Sequence, residues 1–450
     1  MANAKPYFTT DDLIASIKRR ISFPLSQNTF QYSDLVAFLN EEMQLSAVPT
    51  VKQEHEEYFV YKVSVPLVNA VSRYEIPNRA IGMALRDVKY SDSTGNFYDM
   101  TRIAPDDKAF FQQSNGSNQT ISKYYIEGNE IVLTPLVQAG ASGKLNFFIY
   151  LRPNSLVKND RAATIQNFQK DITVSNNANL EVGDKIYINT GNNTSPTPEQ
   201  YIFTAVASGA GAYQFNIGAT ANDTAASLNT AINNAGIKNI SSTVLTSVAT
   251  VIYTDISTTF ELVKSTTATL GSAFTVDNAN LYVKFDQLPT TYTDPETMQQ
   301  SLLYGVGHLV DFLQTNPGHR TYTYDIPLVS INGTVAAFAV SDLQTYLNNS
   351  SGGTLAFYNI KVGDYICLAN ECIIPQIPPE LHNALAERAA SRVLMAIGDV
   401  QGYQVSQAKL AEMNKMQETL IGSRIEGSVP KVFNRYSLLR LGKSRFRRRY

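Results

Sequence analysis

The stretch that decides the fold of the last third of the chain is IIPQIPPELHNALAERAASRVLMAIGD, residues 373–399. Pro378 and Pro379 stand where a helix begins, a place where a missing backbone N–H costs nothing. Apolar residues then recur every three or four positions, and Gly398-Asp399 predicts the end of one helix and the cap of the next. We therefore expect a helical hairpin over residues 376–425. The side chains predicted to pack along this hairpin, within the protomer or between the protomers of an assembly, are Leu381, Leu385, Ala389, Ala390, Val393, Ile397, Leu410 and Met413.

Two short helices are predicted near the other end of the chain. The first follows the capping sequence TTDD at residues 9–12, and the second begins at Ser33 and is expected to end before Pro49. A further helix is predicted to begin at Asp294-Pro295 and to end at Asn316-Pro317. Helices this short must bury their apolar faces against one another. The predicted fold class is α+β, with a discontinuous helical bundle made of residues 1–48, 294–316 and 376–425.

Between the helices the apolar period changes to two, which is typical of strands. KLNFFIYL at residues 144–151 alternates apolar and polar positions, and DSTGN at 92–96 and EGNE at 127–130 predict turns. We expect an antiparallel, sandwich-like β domain over residues 54–152, completed by short strands in 320–374.

Residues 160–286 are rich in Asn, Thr, Ser, Ala and Gly, and this shift of composition predicts an inserted, mixed β domain at the periphery. Within it, NDTAASLNTAINNAG predicts one helix, capped at Asn222 or Asp223 and ended at Gly236. The sequences VGDKIYI (182–188) and VGDYICL (362–368) are similar. Because they have no fixed period, we interpret them as the same turn leading into a strand, and not as a repeat.

The charges of the chain are unevenly distributed. The net charge is −2, but residues 427–450 carry eight basic residues and no acid, so −2 minus +8 leaves −10 on residues 1–426. Val429-Pro430 favours an extended backbone. We predict that residues 427–450 form an extended basic tail whose spaced apolar residues fit a groove on a partner. The residues predicted to make this contact are Lys431, Phe433, Arg435, Tyr436, Leu438, Leu439, Arg440, Lys443, Arg445, Phe446, Arg447, Arg448 and Arg449.

No motif in the sequence predicts an enzyme. The four histidines form no HExxH motif, and Cys367 and Cys372 have no second pair of ligands to complete a zinc site. His308 is expected to be a core or interface residue of the predicted helix. We therefore expect no catalysis, no cofactor and no metal.

No segment reaches the ~18 consecutive apolar residues of a membrane span. The N-terminal sequence MANAKPYFTTDD lacks the apolar core of a signal peptide. We expect a soluble protein that is not secreted and has no membrane partner.

The order of features near the C-terminus resembles that of the head–tail adaptor (connector or ring) proteins of tailed bacteriophages. It consists of the strand VGDYICL, the proline-rich stop at residues 375–379, the helix ELHNALAERAASRVLMAIGD, a helix containing KLAEM and the closing run RIEGSVPKV. The resemblance covers roughly residues 9–150 and 290–440, and residues 160–286 depart from it.

The resemblance implies a structural virion protein of the neck or tail region, assembled in the host cytoplasm. Such adaptors form a closed ring, typically of twelve copies, under the portal protein. They extend the channel for the genomic DNA and present a platform to the next tail component, such as a tail tube, a nozzle or a second ring protein. In this interpretation residues 427–450 are a portal-docking arm.

Two other functions stay open from sequence. The protein could be another tail or baseplate structural protein, which the 160–286 segment favours. Alternatively, it could bind nucleic acid through its basic tail. A disordered, solvated end is a third interpretation of the tail itself.

Overall fold

A computed structural model describes most of the chain. The residues described are 7–21, 30–68, 71–92, 95–107, 123–134, 143–190, 199–254, 258–263, 273–294, 298–313, 321–347 and 360–421. These residues contain both helices and many strands, largely in separate runs, so the α+β class is confirmed. The α-helices are α1 (Thr10–Arg20), α2 (Tyr32–Glu42), α3 (Val48–Glu54), α4 (Ala221–Asn234), α5 (Val340–Leu347), α6 (His382–Ile397) and α7 (Val400–Ile421).

The described strands of the first half of the chain lie in four small sheets and one large sheet. They are β1 (Val60–Pro66), β2 (Arg73–Glu75), β3 (Ala80–Ser91), β4 (Phe97–Asp99), β5 (Thr101–Arg102), β6 (Lys123–Glu127), β7 (Glu130–Thr134), β8 (Lys144–Leu151), β9 (Ser155–Leu156), β10 (Ala163–Val174), β11 (Lys185–Thr190), β12 (Glu199–Val206) and β13 (Gln214–Asn216). The remaining strands are β14 (Ile240–Leu245), β15 (Val248–Tyr253), β16 (Thr259–Val263), β17 (Phe274–Val276), β18 (Asn280–Phe285), β19 (Thr291–Thr293), β20 (Gln300–Leu302), β21 (Leu309–Leu313), β22 (Thr321–Asn332), β23 (Val335–Ala339), β24 (Tyr365–Leu368) and β25 (Glu371–Cys372).

The N-terminal helices begin as predicted. Thr9 and Asp12 form a reciprocal capping box at the start of α1, which satisfies two backbone N–H groups. α2 ends at Glu42, before Pro49 as predicted, but the helical backbone continues beyond it. A π-helical segment, Met43–Ala47, joins α2 to α3, and Pro49 lies in the first turn of α3.

The strands of residues 54–152 form two four-stranded sheets, ordered β1–β8–β3–β4 and β2–β7–β6–β5. The predicted turns at residues 92–96 and 127–130 join β3 to β4 and β6 to β7. Both sheets contribute to one hydrophobic core, with Phe147 and Ile149 from the first and Ile131 and Leu133 from the second.

The strands of the second half pair in a closed cycle. β10 pairs with β18 and also with β24, and the order between them is β18–β23–β22–β21–β24. β15, β14 and β17 extend this sheet from β10, while β11, β12, β13 and β16 form a separate sheet. One core, including Phe168, Phe285, Phe312 and Phe338, fills the interior.

This pairing corrects two predictions from sequence. Strands of residues 320–374 do not complete the sheets of residues 54–152; they pair with β10 and β18 of the Asn/Thr-rich segment. Residues 160–286 therefore share both a sheet and a core with 309–368. The change in composition led to a wrong domain boundary because it reflects exposed side chains. The sheet is held instead by buried residues that alternate along β10, such as Ile165 and Phe168. The other predicted domain limits stay predictions.

The helix predicted over residues 294–316 is also wrong. Among its described residues, β20 and β21 are strands, and Gly305 and Gly307 lie between them. Each glycine disfavours a helix interior by roughly 1 kcal/mol, and Gly307 adopts a φ of +82°. The apolar side chains at helical spacing divide between the surface and the core, since Met298, Leu302 and Val306 are exposed while Val310 and Leu313 are buried.

The helix of the 160–286 segment is confirmed as α4, with one change at its start. Thr220, and not Asn222 or Asp223, is the N-cap. Asp223 instead occupies the third helical position and accepts a hydrogen bond from the Thr220 N–H at 3.0 Å. Gly236, with a φ of +63°, ends the helical turn as predicted.

Candidate functional site

The residues predicted to pack along the C-terminal hairpin lie in a core shared by helices from both chain ends. Leu381, Leu385, Ala389, Ala390 and Val393 are buried, and α1 and α2 both contact α6. The alanines allow this close approach within one protomer. Leu410 on α7 is also buried, and Met413 is half-buried.

Ile397 departs from the prediction, because 41% of its side chain is exposed. It belongs to the last turn of α6. Gly398 then takes the left-handed conformation (φ +80°) and turns the chain into α7. Asp399 caps α7 by accepting a hydrogen bond from the Gly402 N–H at 2.9 Å, as predicted.

A buried carboxylate ties three helices together. Oε2 of Glu387 on α6 lies 3.0 Å from Nε of Arg20 on α1 and 2.7 Å from Nζ of Lys409 on α7. Ser406 on α7 donates its hydroxyl to Oε1 at 2.9 Å. Because this carboxylate is fully paired, it fixes the mutual position of the three helices.

The α6–α7 hairpin carries several exposed apolar residues. Met395, Val400, Val405 and Met416 are each more than half exposed. Isolated exposed apolar residues are ordinary, but several on one hairpin are typical of a contact surface. We call these four residues the hairpin patch.

The predicted docking arm, residues 427–450, lies outside the described residues. The described chain ends with α7 at Ile421. Three of the four residues of the hairpin patch, Val400, Val405 and Met416, lie on α7, the last described helix before the arm in sequence.

A second buried charge cluster joins the β sheets of residues 60–151 to the large sheet. Arg79, next to β3, donates to both carboxylate oxygens of Asp311 in β21 at 2.8 and 3.0 Å. It also donates to Oδ2 of Asp325 in β22 at 2.8 Å and to Oδ1 of Asn154 at 3.1 Å. Its guanidinium lies 4.5 Å from the ring centroid of Tyr324.

The ion pair of Arg79 and Asp311 in this cluster is buried, whereas the Asp325 side chain is 32% exposed. The Arg79 side chain is 8% exposed and that of Asp311 0%. Burial disfavours the charged guanidinium, but hydrogen bonds to Asp325 and the charge of Asp311 outweigh burial and raise the pKa of Arg79. Asp311 further accepts hydrogen bonds from the backbone N–H groups of Asp325 and Asn370.

Sequence reasoning missed this cluster. Asp311 fell within a predicted helix, and Arg79 and Asp325 are 246 residues apart. Asp325 and Asn370 have positive φ values of 56° and 69°, which only the assembled fold requires. The one available signal was a charged residue, Asp311, within the apolar run LVDFL.

His308, His382 and the two cysteines lie in surroundings that indicate a structural role. His308 is not in a helix; its Nδ1 lies 3.0 Å from the carbonyl oxygen of Leu303 in the turn before β21. His382 is fully buried, and its Nδ1 accepts a hydrogen bond from the Phe8 N–H at 3.1 Å. Burial raises the pKa of Cys367 and Cys372 well above the usual range, so both are protonated thiols at neutral pH.

Within the described ranges, no three His, Cys, Asp or Glu side chains are grouped so that they could hold a metal ion. None of the helices in that part of the chain is both long and apolar enough to cross a membrane.

No family model and no curated protein matches this chain. Among solved structures, it is similar to the D1-D2-D3 domains of the flagellar cap protein FliD from Escherichia coli. The alignment covers 84% of this chain and 74% of that one, with 8% sequence identity and a TM-score of 0.17. At this TM-score the similarity carries no argument about fold or function.

Proposed function

We propose that this protein is a structural virion protein, a head-to-tail adaptor that forms a ring under the portal of a tailed bacteriophage. In this role it extends the DNA channel and provides the platform for the next tail component. It acts through shape and contact, without catalysis and without a cofactor.

The observation that carries the proposal is that helices from the N-terminal and C-terminal parts of the described chain pack together. The Thr10 N–H donates to the carbonyl oxygen of Ile373 at 2.8 Å, and the Phe8 N–H donates to His382. Helices from residues 10–54 and 382–421 share one core, and β-rich segments lie between them in sequence. The resemblance to adaptors implies a helical bundle built from both chain ends with a β-rich domain between them, and the third helix predicted for this bundle is replaced by strands.

The hairpin patch supports a ring interface. A closed ring uses one heterologous interface repeated around an axis, and the centre of such an interface is apolar and poor in charge. Because Ala389, Ala390 and Val393 pack within the protomer, we assign the contact between protomers to Met395, Val400, Val405 and Met416 instead.

The basic arm supports the portal contact. Its arginines can form bidentate contacts with carboxylates, and a ring multiplies such contacts through avidity. We propose that residues 431–450 dock between portal subunits and that the mature protein lies in the neck or tail region of the virion.

The test combines purified protein and portal in electron microscopy and native mass spectrometry. The variant Val400→Asp/Val405→Asp should abolish rings, while Leu245→Asp, at an exposed leucine of β14 (77% exposed), should leave them intact. Deletion of residues 431–450 should leave rings that no longer join DNA-filled heads.

Two results would overturn the proposal. One is a strictly monomeric protein bound one-to-one to an isolated portal subunit. The other is normal virion yield and infectivity after deletion of residues 431–450. Rings that bind a tail component and never a portal would favour another tail or baseplate protein.

A further inference from the structure

The sheet β1–β8–β3–β4 has one face on its core, and its opposite, outer face carries the exposed Lys144 and Phe97 beside the buried Asn146 and Ser91. Side chains alternate along a strand, so cross-strand partners share a face. The register pairs Lys62 with Phe148 and Ser91 with both Lys144 and Phe97. These residues lie on the outer face, since their neighbours along each strand, such as Phe147, belong to the core.

Lysine amino groups on this face lie over aromatic rings. Nζ of Lys62 in β1 is 4.8 Å from the ring centroid of Phe97 in β4, although the two are opposite edge strands of the sheet. Nζ of Lys89 is 5.9 Å from the ring centroid of Phe148. The outer face is therefore strongly curved.

The three lysines on this face, Lys62, Lys89 and Lys144, differ in their ion pairs with described residues. Lys89 pairs with Asp99 at 2.9 Å and with Asp87 at 3.4 Å. Neither Lys62 nor Lys144 forms an ion pair with any residue that the structure describes. Burial, and then the charge of Lys144, lowers the pKa of Lys62. Two neighbouring cations that have no counter-ion among the described residues favour an anionic ligand.

The exposed ring of Phe97 indicates which class of anionic ligand fits this face. Its side chain is 55% exposed, and Lys62 lies against it. A carboxylate partner would gain little from this ring. A nucleic acid uses both groups, because lysines neutralise phosphates and aromatic rings stack with unpaired bases.

We propose that the outer face of β1–β8–β3–β4 is a binding surface for single-stranded nucleic acid. Lys62 and Lys144 neutralise phosphates, and the ring of Phe97 packs against a base. The surface belongs to the folded part of the chain, and its function does not depend on ring formation, on the portal or on residues 427–450.

The test measures the binding of fluorescein-labelled oligothymidine to the full chain by anisotropy at increasing salt. Loss of two phosphate contacts in Lys62→Gln/Lys144→Gln should reduce the slope of log K against log salt by about 1.4 and weaken binding about tenfold at low salt. The matched control, Lys238→Gln/Lys361→Gln, removes the same charge from exposed lysines elsewhere and should change neither quantity.

Photocross-linking with bromodeoxyuridine-substituted oligothymidine gives a second measurement. The adduct should map to the peptide that contains Phe97, and Phe97→Leu should remove it. An equal loss of affinity in both double variants, or adducts confined to residues 427–450, would overturn the proposal. Should the lysine variant melt below the control, the Phe97→Leu result decides alone.

Discussion

At the scale of single residues, Arg79 is the clearest case of a side chain whose removal must be costly. It compensates a fully buried carboxylate, Asp311, and satisfies Asn154 as well. Replacing one partner of a buried ion pair leaves the other charge without compensation. We expect Arg79→Met to lower the free energy of unfolding by about 3–5 kcal/mol, measured by urea denaturation.

The chain provides a matched control for Arg79 in Arg73. Arg73 also contacts two carboxylates, Glu127 at 2.7 Å and Glu130 at 2.9 Å, but its side chain is 52% exposed. Solvent screens such pairs, so Arg73→Met should leave the urea midpoint nearly unchanged. Equal effects of the two substitutions would contradict the importance assigned to burial.

Tyr282 gives a pH-dependent prediction. Burial first, and then the hydrogen bond from its hydroxyl to Asp277 (2.7 Å), raise the pKa of Tyr282 to about 12. Its stabilising contribution is complete below the ordinary tyrosine pKa of about 10 and is lost as the pH rises through about 12. Melting temperatures of the wild type and Tyr282→Phe should therefore differ at pH 9 and converge toward pH 12. A constant difference across this range would contradict the assignment.

The paired VGD sequences show what single residues allow one to predict. Asp184 and Asp364 each accept a hydrogen bond from the backbone N–H three residues earlier, at 2.9 and 2.8 Å. The glycines before them, Gly183 and Gly363, have φ values of 96° and 93°. The same local sequence thus forms the same turn into a strand, as predicted, because the Asp side chain closes each turn locally. Each turn is also bonded to a distant strand, since the Gly183 N–H donates to Ala205 and the Gly363 N–H donates to Ile165.

At the scale of elements, the C-terminal hairpin makes a packing prediction. Ala389 of α6 is fully buried against the helices of the N-terminal segment. Leucine there should overpack the core and lower the free energy of unfolding by about 1–3 kcal/mol. Ala408→Leu, at an exposed position of α7, is the matched control and should be nearly neutral.

Measuring the oligomeric state of Ala389→Leu tests independently whether Ala389 packs within the protomer. Because Ala389 packs within the protomer, Ala389→Leu should lower the melting temperature of protomers and rings alike. Disruption of rings with an unchanged melting temperature would instead place Ala389 between protomers.

Elements with local start and stop signals were predictable, and those without them were not. The capping box at Thr9 and the left-handed Gly398 mark helix ends in any context. Residues 298–313 have an apolar spacing of three and four, yet they form strands, since Leu303 and Val310 fill a core built from distant strands. Periodicity alone cannot separate these cases when the partner is unknown.

At the scale of the whole molecule, the limit of sequence reasoning was long-range pairing. Ala163 pairs with Ile366, and Val283 pairs with Ala336. Neither pairing leaves a local signal, so a compositional boundary near residue 286 was mistaken for a structural one. The helical core, by contrast, was predicted from its two ends because both ends have amphipathic helices that need a partner.

The closed cycle of strands leads to a prediction about residues 160–286. It is the opposite of the expectation that these residues are a dispensable insert. Replacing them with a short Gly/Ser linker removes β10 and β18, and with them partners of β23 and β24. Phe312 and Phe338 would then lose core neighbours such as Phe168 and Phe285. We expect the shortened chain to lack the calorimetric transition of the large sheet and to expose apolar surface to a hydrophobic dye. A linker of equal length in place of residues 191–198 is the control and should keep that transition. A soluble shortened chain that unfolds with a sharp transition would restore the independent-insert interpretation.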